Sequence, residues 1–122
     1  MKAMISTPMG GKSREEIDEV FNRARAVLEG MGYEVVNTRF VLSEKHLEQI
    51  GVKNKPLAYL AYSLEQMSMV DVVYFCEGWV HARGCRVEHH TAKSYGIPTM
   101  YEGDVDEQRT DCRTGLGTGF KA

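Results

Sequence analysis

The carboxylate of Glu88 is the group in this sequence best placed for covalent chemistry. It closes the stretch Cys76-Glu77-Gly78-Trp79-Val80-His81-Ala82-Arg83-Gly84-Cys85-Arg86-Val87-Glu88, which leaves an apolar strand, crosses a glycine-containing turn and opens a helix. If residues 84 to 95 are helical, at about 100° per residue, Gly84, Cys85, Glu88, Thr91, Ala92 and Tyr95 share one arc. Arg86, His90 and Lys93 then point elsewhere, and Glu88 falls on the inward face. An unpaired carboxylate taken out of water costs several kcal/mol, so such a group is paired, protonated or at work in a cleft. The expectation is a cleft, with a satisfied core carboxylate bonded to Ser6, Thr7 or a backbone amide as the plain alternative.

Two further carboxylates lie within reach of that role. Glu77, just past the apolar strand, is placed to face Glu88, and two carboxylates in different environments can divide nucleophile and acid roles. Its plain alternative is an exposed loop charge. Asp71 precedes the same strand, where holding a loop is the commoner use. Trp79, the single tryptophan, is a lid or a platform for a nucleobase, or else a buried anchor. Arg83 and Arg86 flank the helix start, and Arg83 is the candidate to hold a phosphate, with a solvated helix-surface arginine as the plain alternative. His89 and His90 are not the expected bases.

The other candidate segment is Ser6-Thr7-Pro8-Met9-Gly10-Gly11-Lys12-Ser13. It overlaps the phosphate-loop pattern G-x-x-x-x-G-K-[ST] with Ser6 in place of the first glycine, and Ser6 and Pro8 spoil the nest of amides that a triphosphate needs. A simpler use remains: loop amides, assisted by Lys12, suit one phosphate or sugar hydroxyls. A tight turn with a solvated lysine is the alternative.

The rest of the composition narrows the class. A formal net charge of −2 over 122 residues speaks against a general binder of nucleic-acid polymers or anionic membranes. No apolar run approaches the roughly 20 residues of a membrane helix, and Met1-Lys2 leads into a strand without a signal-peptide core, so a cytoplasmic protein is expected. Three cysteines, Cys76, Cys85 and Cys112, form no CxxC pair and are expected reduced. A zinc site drawn from Cys76, His81, Cys85 and His89 follows no common spacing, and no metal is expected.

The elements that must position these groups alternate between strand and helix. Lys2 to Ser6 reads as a buried strand; Ser13 with Glu16 makes a capping box, and Ile17, Val20, Phe21, Ala24, Val27, Leu28 and Met31 repeat at helical spacing up to Gly32. Tyr33 to Asn37 reads as a second strand and Ser43 to Ile50 as a short helix. Pro56 opens a third helix carrying Leu57, Leu60, Ala61, Leu64 and Met67. Val70 to Phe75 reads as a central strand and Ile97 to Tyr101 as a fourth, with Pro98 at its start or on an edge. This pattern predicts a three-layer α/β domain over residues 1–102, with a parallel sheet of four to five strands flanked by helices. Residues 103–122 read as a tail or arm. Such sheets bind ligands beyond the carboxyl ends of their strands.

Ser6-Thr7-Pro8-Met9, Asn54-Lys55-Pro56-Leu57, Asp71-Val72-Val73-Tyr74-Phe75 and Gly78-Trp79 through Ala82-Arg83-Gly84-Cys85-Arg86-Val87-Glu88 together carry a resemblance. Over about residues 2 to 102 the chain resembles the phage and bacterial domain of unknown function grouped with nucleoside 2-deoxyribosyltransferases. Gly84, Cys85, Glu88 and Ala92 match those enzymes' motif of Gly, a small residue, two variable positions and Glu, with a small residue four further on. The segment Trp79 to Arg83 departs from them, since they usually carry an acidic, glycine-rich loop there. The resemblance implies a flavodoxin- or Rossmann-like parallel sheet, a homo-oligomer with sites near subunit contacts, no cofactor, and N-glycosidic chemistry on deoxynucleosides or their 5′-monophosphates. Glu88 would attack the anomeric carbon, and Asp71 or Glu77 would bind sugar hydroxyls or donate a proton. A non-catalytic module that captures a nucleotide or nucleotide-derived metabolite in the same cleft is the competing expectation.

Overall fold

The computed structural model describes residues 1–38 and 43–103. Four strands, β1 (Lys2–Ser6), β2 (Glu34–Val35), β3 (Val72–Phe75) and β4 (Thr99–Tyr101), alternate with helices α1 (Arg14–Gly30), α2 (Glu44–Gln49), α3 (Lys55–Met67) and α4 (Arg83–Ser94). They form one all-parallel sheet in the order β2-β1-β3-β4. The expected tail beyond Gly103 and Cys112 within it lie outside the described residues.

Alternation along the two central strands divides the core into two layers. Ala3 and Ile5 of β1 and Val72 and Tyr74 of β3, with Cys76, pack against Phe21, Ala24 and Leu28 of α1. Met4, Val73 and Phe75 pack on the opposite face with Met67 of α3 and Ala92 of α4. Met4, Val73 and Phe75 are fully buried, and each such side chain contributes about 1.5–3 kcal/mol over its exposed state. Because Met4 faces α3 and α4, Ser6 faces them too. Thr7 then turns toward Cys76, its Oγ1 3.9 Å from the thiol sulfur.

The helices start where the residue types dictate. Ser13 Oγ accepts from the Glu16 amide at 3.1 Å while Glu16 Oε1 accepts from the Ser13 amide at 2.8 Å, a closed capping box on α1. Ser43 and Asn54 cap α2 and α3 through the amides of His46 and Leu57. By contrast Ala82 opens α4 without a side-chain cap.

Three strands are shorter than expected: β3 begins at Val72, not Val70, and β2 and β4 are also cut back. Tyr33 donates its amide to Leu28 O at 3.0 Å, so the end of α1 takes the first residue of the expected β2, although Val36 still bonds Ala3 O at 2.9 Å. Ile97 gives its amide to Ala92 O at 2.9 Å and Pro98 has none to give, so β4 begins at Thr99, on a sheet edge. Tyr95, expected on the inward arc of α4, is 80% exposed: it follows the last helical residue, where the arc no longer applies.

Candidate functional site

Glu88 lies one and a half turns into α4, on the arc with Cys85 and Ala92, and is 8% exposed. The Ser6 hydroxyl, at the carboxyl end of β1, donates to Glu88 Oε1 at 2.5 Å. The Ser63 hydroxyl of α3 also acts on this carboxyl, favouring its charged form. Three elements thus converge on one acid group where the strands end. Burial lifts the Glu88 pKa above its usual 4.5, and the Ser6 and Ser63 hydroxyls draw it part of the way back by favouring the charged form.

The thiols around it are silent. Burial raises Cys85 to about 11 against the weaker opposing effect of Ser6, and Cys76 to about 12 against that of Thr7. Both are free and buried, so neither supplies a thiolate near neutral pH. Among the described residues no group of three or more His, Cys, Asp and Glu is arranged to hold a metal ion, and no helix is long and apolar enough to cross a membrane.

A cleft of about 270 Å³ opens at the same end of the sheet, on the α1 side, lined by Pro8, Lys12, Val20, Arg23, Glu77, Gly78 and Glu102. It gathers part of the first loop and the turn after β3. Gly78 adopts φ 92°, and a Cβ there would sit 3.7 Å from Pro8 Cγ, so the two loops run side by side. Lys12 and Glu77 are exposed on the walls, whereas Pro8 and Thr7 are buried beneath. Met9 is 47% exposed, and Gly10 has open space around it. Arg83, the first residue of α4, is exposed, with Gly84 half-buried next to it.

Two expected acids stand apart from Glu88. Glu77 is on the cleft wall, and its backbone amide, rather than its carboxylate, is tied down, donating to Glu102 Oε1 at 2.8 Å. Asp71 sits at the opposite end of β3, where its Oδ2 accepts the Lys2 amide at 2.7 Å and its own amide bonds Lys2 O. That position closes the amino-terminal edge of the sheet and does not meet Glu88.

Trp79 is held as an anchor. Its ring stacks on His89 with centroids 4.1 Å apart and packs on Phe75 at 5.4 Å and Tyr101 at 5.8 Å. His89 Nε2 is 2.7 Å from the Tyr101 hydroxyl. Burial, then the positive charges of Lys93 and His90, lowers His89 to about 4, so it is neutral near pH 7. The indole has one face covered before any ligand arrives.

Ser63 and Glu102 escape a reading of the sequence. Ser63 sits among apolar residues of α3 with no local partner to mark it, and Glu102 stands at a strand end followed by glycine, where a charge reads as solvated.

No curated protein and no solved structure matches the chain. The family model described as a domain of unknown function, DUF4406, matches residues 1–101, a span that includes Ser6, Ser63 and Glu88 and every residue lining the cleft except Glu102, and the chain belongs to that family.

Proposed function

We propose that the protein acts on the N-glycosidic bond of deoxynucleosides or deoxynucleoside 5′-monophosphates, by transfer or hydrolysis, with Glu88 as nucleophile. The observation that carries this reading is the buried Ser6–Glu88 hydrogen bond at the carboxyl end of the central strands, where parallel α/β sheets bind ligands. In the ionised form, the carboxylate attacks C1′ of the sugar. The bond to the base breaks, its electron pair goes to the base nitrogen, and an acid or water protonates it. A second base or water then attacks C1′ and releases the carboxylate. Ser6 and Ser63 favour the charged form that the first step needs. Glu77, on the cleft wall, is the better placed of the two other acids to donate a proton or hold a sugar hydroxyl. Lys12 on the same wall suits a phosphate.

The same reading takes the protein as a cytoplasmic homo-oligomer. Leu57 (59% exposed), Val80 (48%) and Val87 (38%) supply apolar surface for a subunit contact.

The test is incubation with the four deoxynucleosides and their monophosphates, with and without an acceptor base, followed by chromatography of the bases and mass spectrometry of the protein. Freed or exchanged base together with a deoxyribosyl adduct on Glu88 is the expected result. No release from any substrate beside a working control enzyme overturns it.

A second reading has its own support. Burial raises the Glu88 pKa, and its oxygens are not part of the cleft wall, which suits a protonated carboxyl in a module that captures a nucleotide-derived ligand without turnover. Ligand-induced thermal stabilisation that is equal in wild type and Glu88→Gln, with no base released, favours capture.

A further inference from the structure

We infer that Glu102 is a positioning residue that sets the separation of the two cleft walls. Its own place is fixed by the sheet, since its amide donates to Phe75 O at 2.9 Å. Its carboxylate, 22% exposed, then joins two other elements. Oε1 accepts the Glu77 amide at 2.8 Å, while Oε2 accepts from Arg23 Nη2 at 3.0 Å and Nε at 3.3 Å. One wall of the cleft is α1 with the first loop; the other is the Glu77–Gly78 turn, and Glu102 is bonded to both.

The two bonds are unequal in effect. Arg23 is 55% exposed, and an ion pair in such a setting contributes little. The Glu77 amide is different: it belongs to a turn in which Gly78 is already in the left-handed region and the Trp79 amide is committed to Cys76 O at 3.2 Å. Without Glu102 that turn loses the side-chain acceptor holding it over Pro8. Arg23, neutralised by Glu102, also leaves Lys12 as the cleft cation with no ion pair among the described residues.

The inference rests on the cleft being part of the substrate site, and the experiment separates the two claims. Amide exchange at Glu77 is followed by NMR on the full chain. Glu102→Gln keeps an oxygen for the Glu77 amide and loses the Arg23 pair; Glu102→Ala loses both; Glu102→Asp keeps the charge but shortens its reach. Exchange is expected to accelerate about tenfold or more in the Ala and Asp proteins and less than about threefold in the Gln and Arg23→Ala proteins. Should Ala fail to fold, Asp carries the comparison. In the proposed reaction, Ala and Asp raise KM severalfold at little-changed kcat, and Gln restores it. Unchanged Glu77 exchange in Ala and Asp overturns the inference, as does equal acceleration in Gln and Arg23→Ala. Absence of turnover in the wild type counts against the reaction alone, because the exchange comparison uses no substrate.

Discussion

Ser6 and Glu88, 82 positions apart in the chain, are joined by a 2.5 Å hydrogen bond in which the serine hydroxyl serves a carboxyl group almost closed off from water. Ser6→Ala leaves that oxygen without its donor and is expected to cost about 1–3 kcal/mol. Glu88→Gln replaces it with an amide that needs no ionisation. A double-mutant cycle by urea denaturation should give a coupling of about 0.5–3 kcal/mol; additive effects would show that the pair is not a unit.

Glu88 also sets a pH dependence. Its folded pKa is raised by burial above the usual 4.5, so the folded protein holds this proton to higher pH than the unfolded chain. The resulting stabilisation is complete below the unfolded value, declines as pH rises through the folded value, and is flat above it. Glu88→Gln lacks the decline, and its melting temperature should gain on the wild type as pH rises above about 4.5, by roughly 3–6 °C per kcal/mol of linkage. Parallel curves would refute the raised pKa.

His89 runs the other way. Its pKa, lowered to about 4 by burial, means the unfolded chain takes up the proton first. Stability is therefore present above pH 6.5 and is lost as pH falls toward 4. Trp79 reports the event directly, because an imidazolium stacked on indole quenches its emission. The single tryptophan should dim with a midpoint near pH 4; a midpoint near 6.5 would place His89 in solvent.

Replacing Glu88 by Gln should reduce base release by roughly 10⁴-fold or more if it is the nucleophile, with the fold intact by circular dichroism. A loss of less than about tenfold would move the covalent role elsewhere.

Asp71→Ala separates the two edges of the sheet. Removing the acceptor of the Lys2 amide is expected to cost about 0.5–1 kcal/mol, since the group is exposed. Turnover should stay within about twofold of the wild type, because the bond lies at the edge remote from Glu88. A large fall in turnover at unchanged stability would return Asp71 to the chemistry.

The sequence made the α/β order and the inward carboxylate legible because both rest on periodicity. Glu88 recurs with Cys85 and Ala92 at helical spacing, and Ser13 with Glu16 marks the start of α1 in four residues. What it hid depends on contacts between distant segments. Asp71 and Glu77 flank one strand, yet a strand carries its two ends to opposite ends of the sheet, so nearness in sequence is no guide to which acid shares the sheet end of Glu88. The roles of Ser63 and Glu102 come from α3 and β4 being brought against segments that no local pattern links to them. Trp79 reads equally as platform or anchor until the ring of His89 is seen upon it.

The way β1 sends Ser6 to one layer and Thr7 to the other makes the strand intolerant of a shift in register. A slip of β1 along β3 that put Thr7 in the place of Ser6 would bring Thr7 opposite Glu88 and reverse the destinations of Ala3, Met4 and Ile5, whereas a slip of two residues would preserve the facing of every side chain.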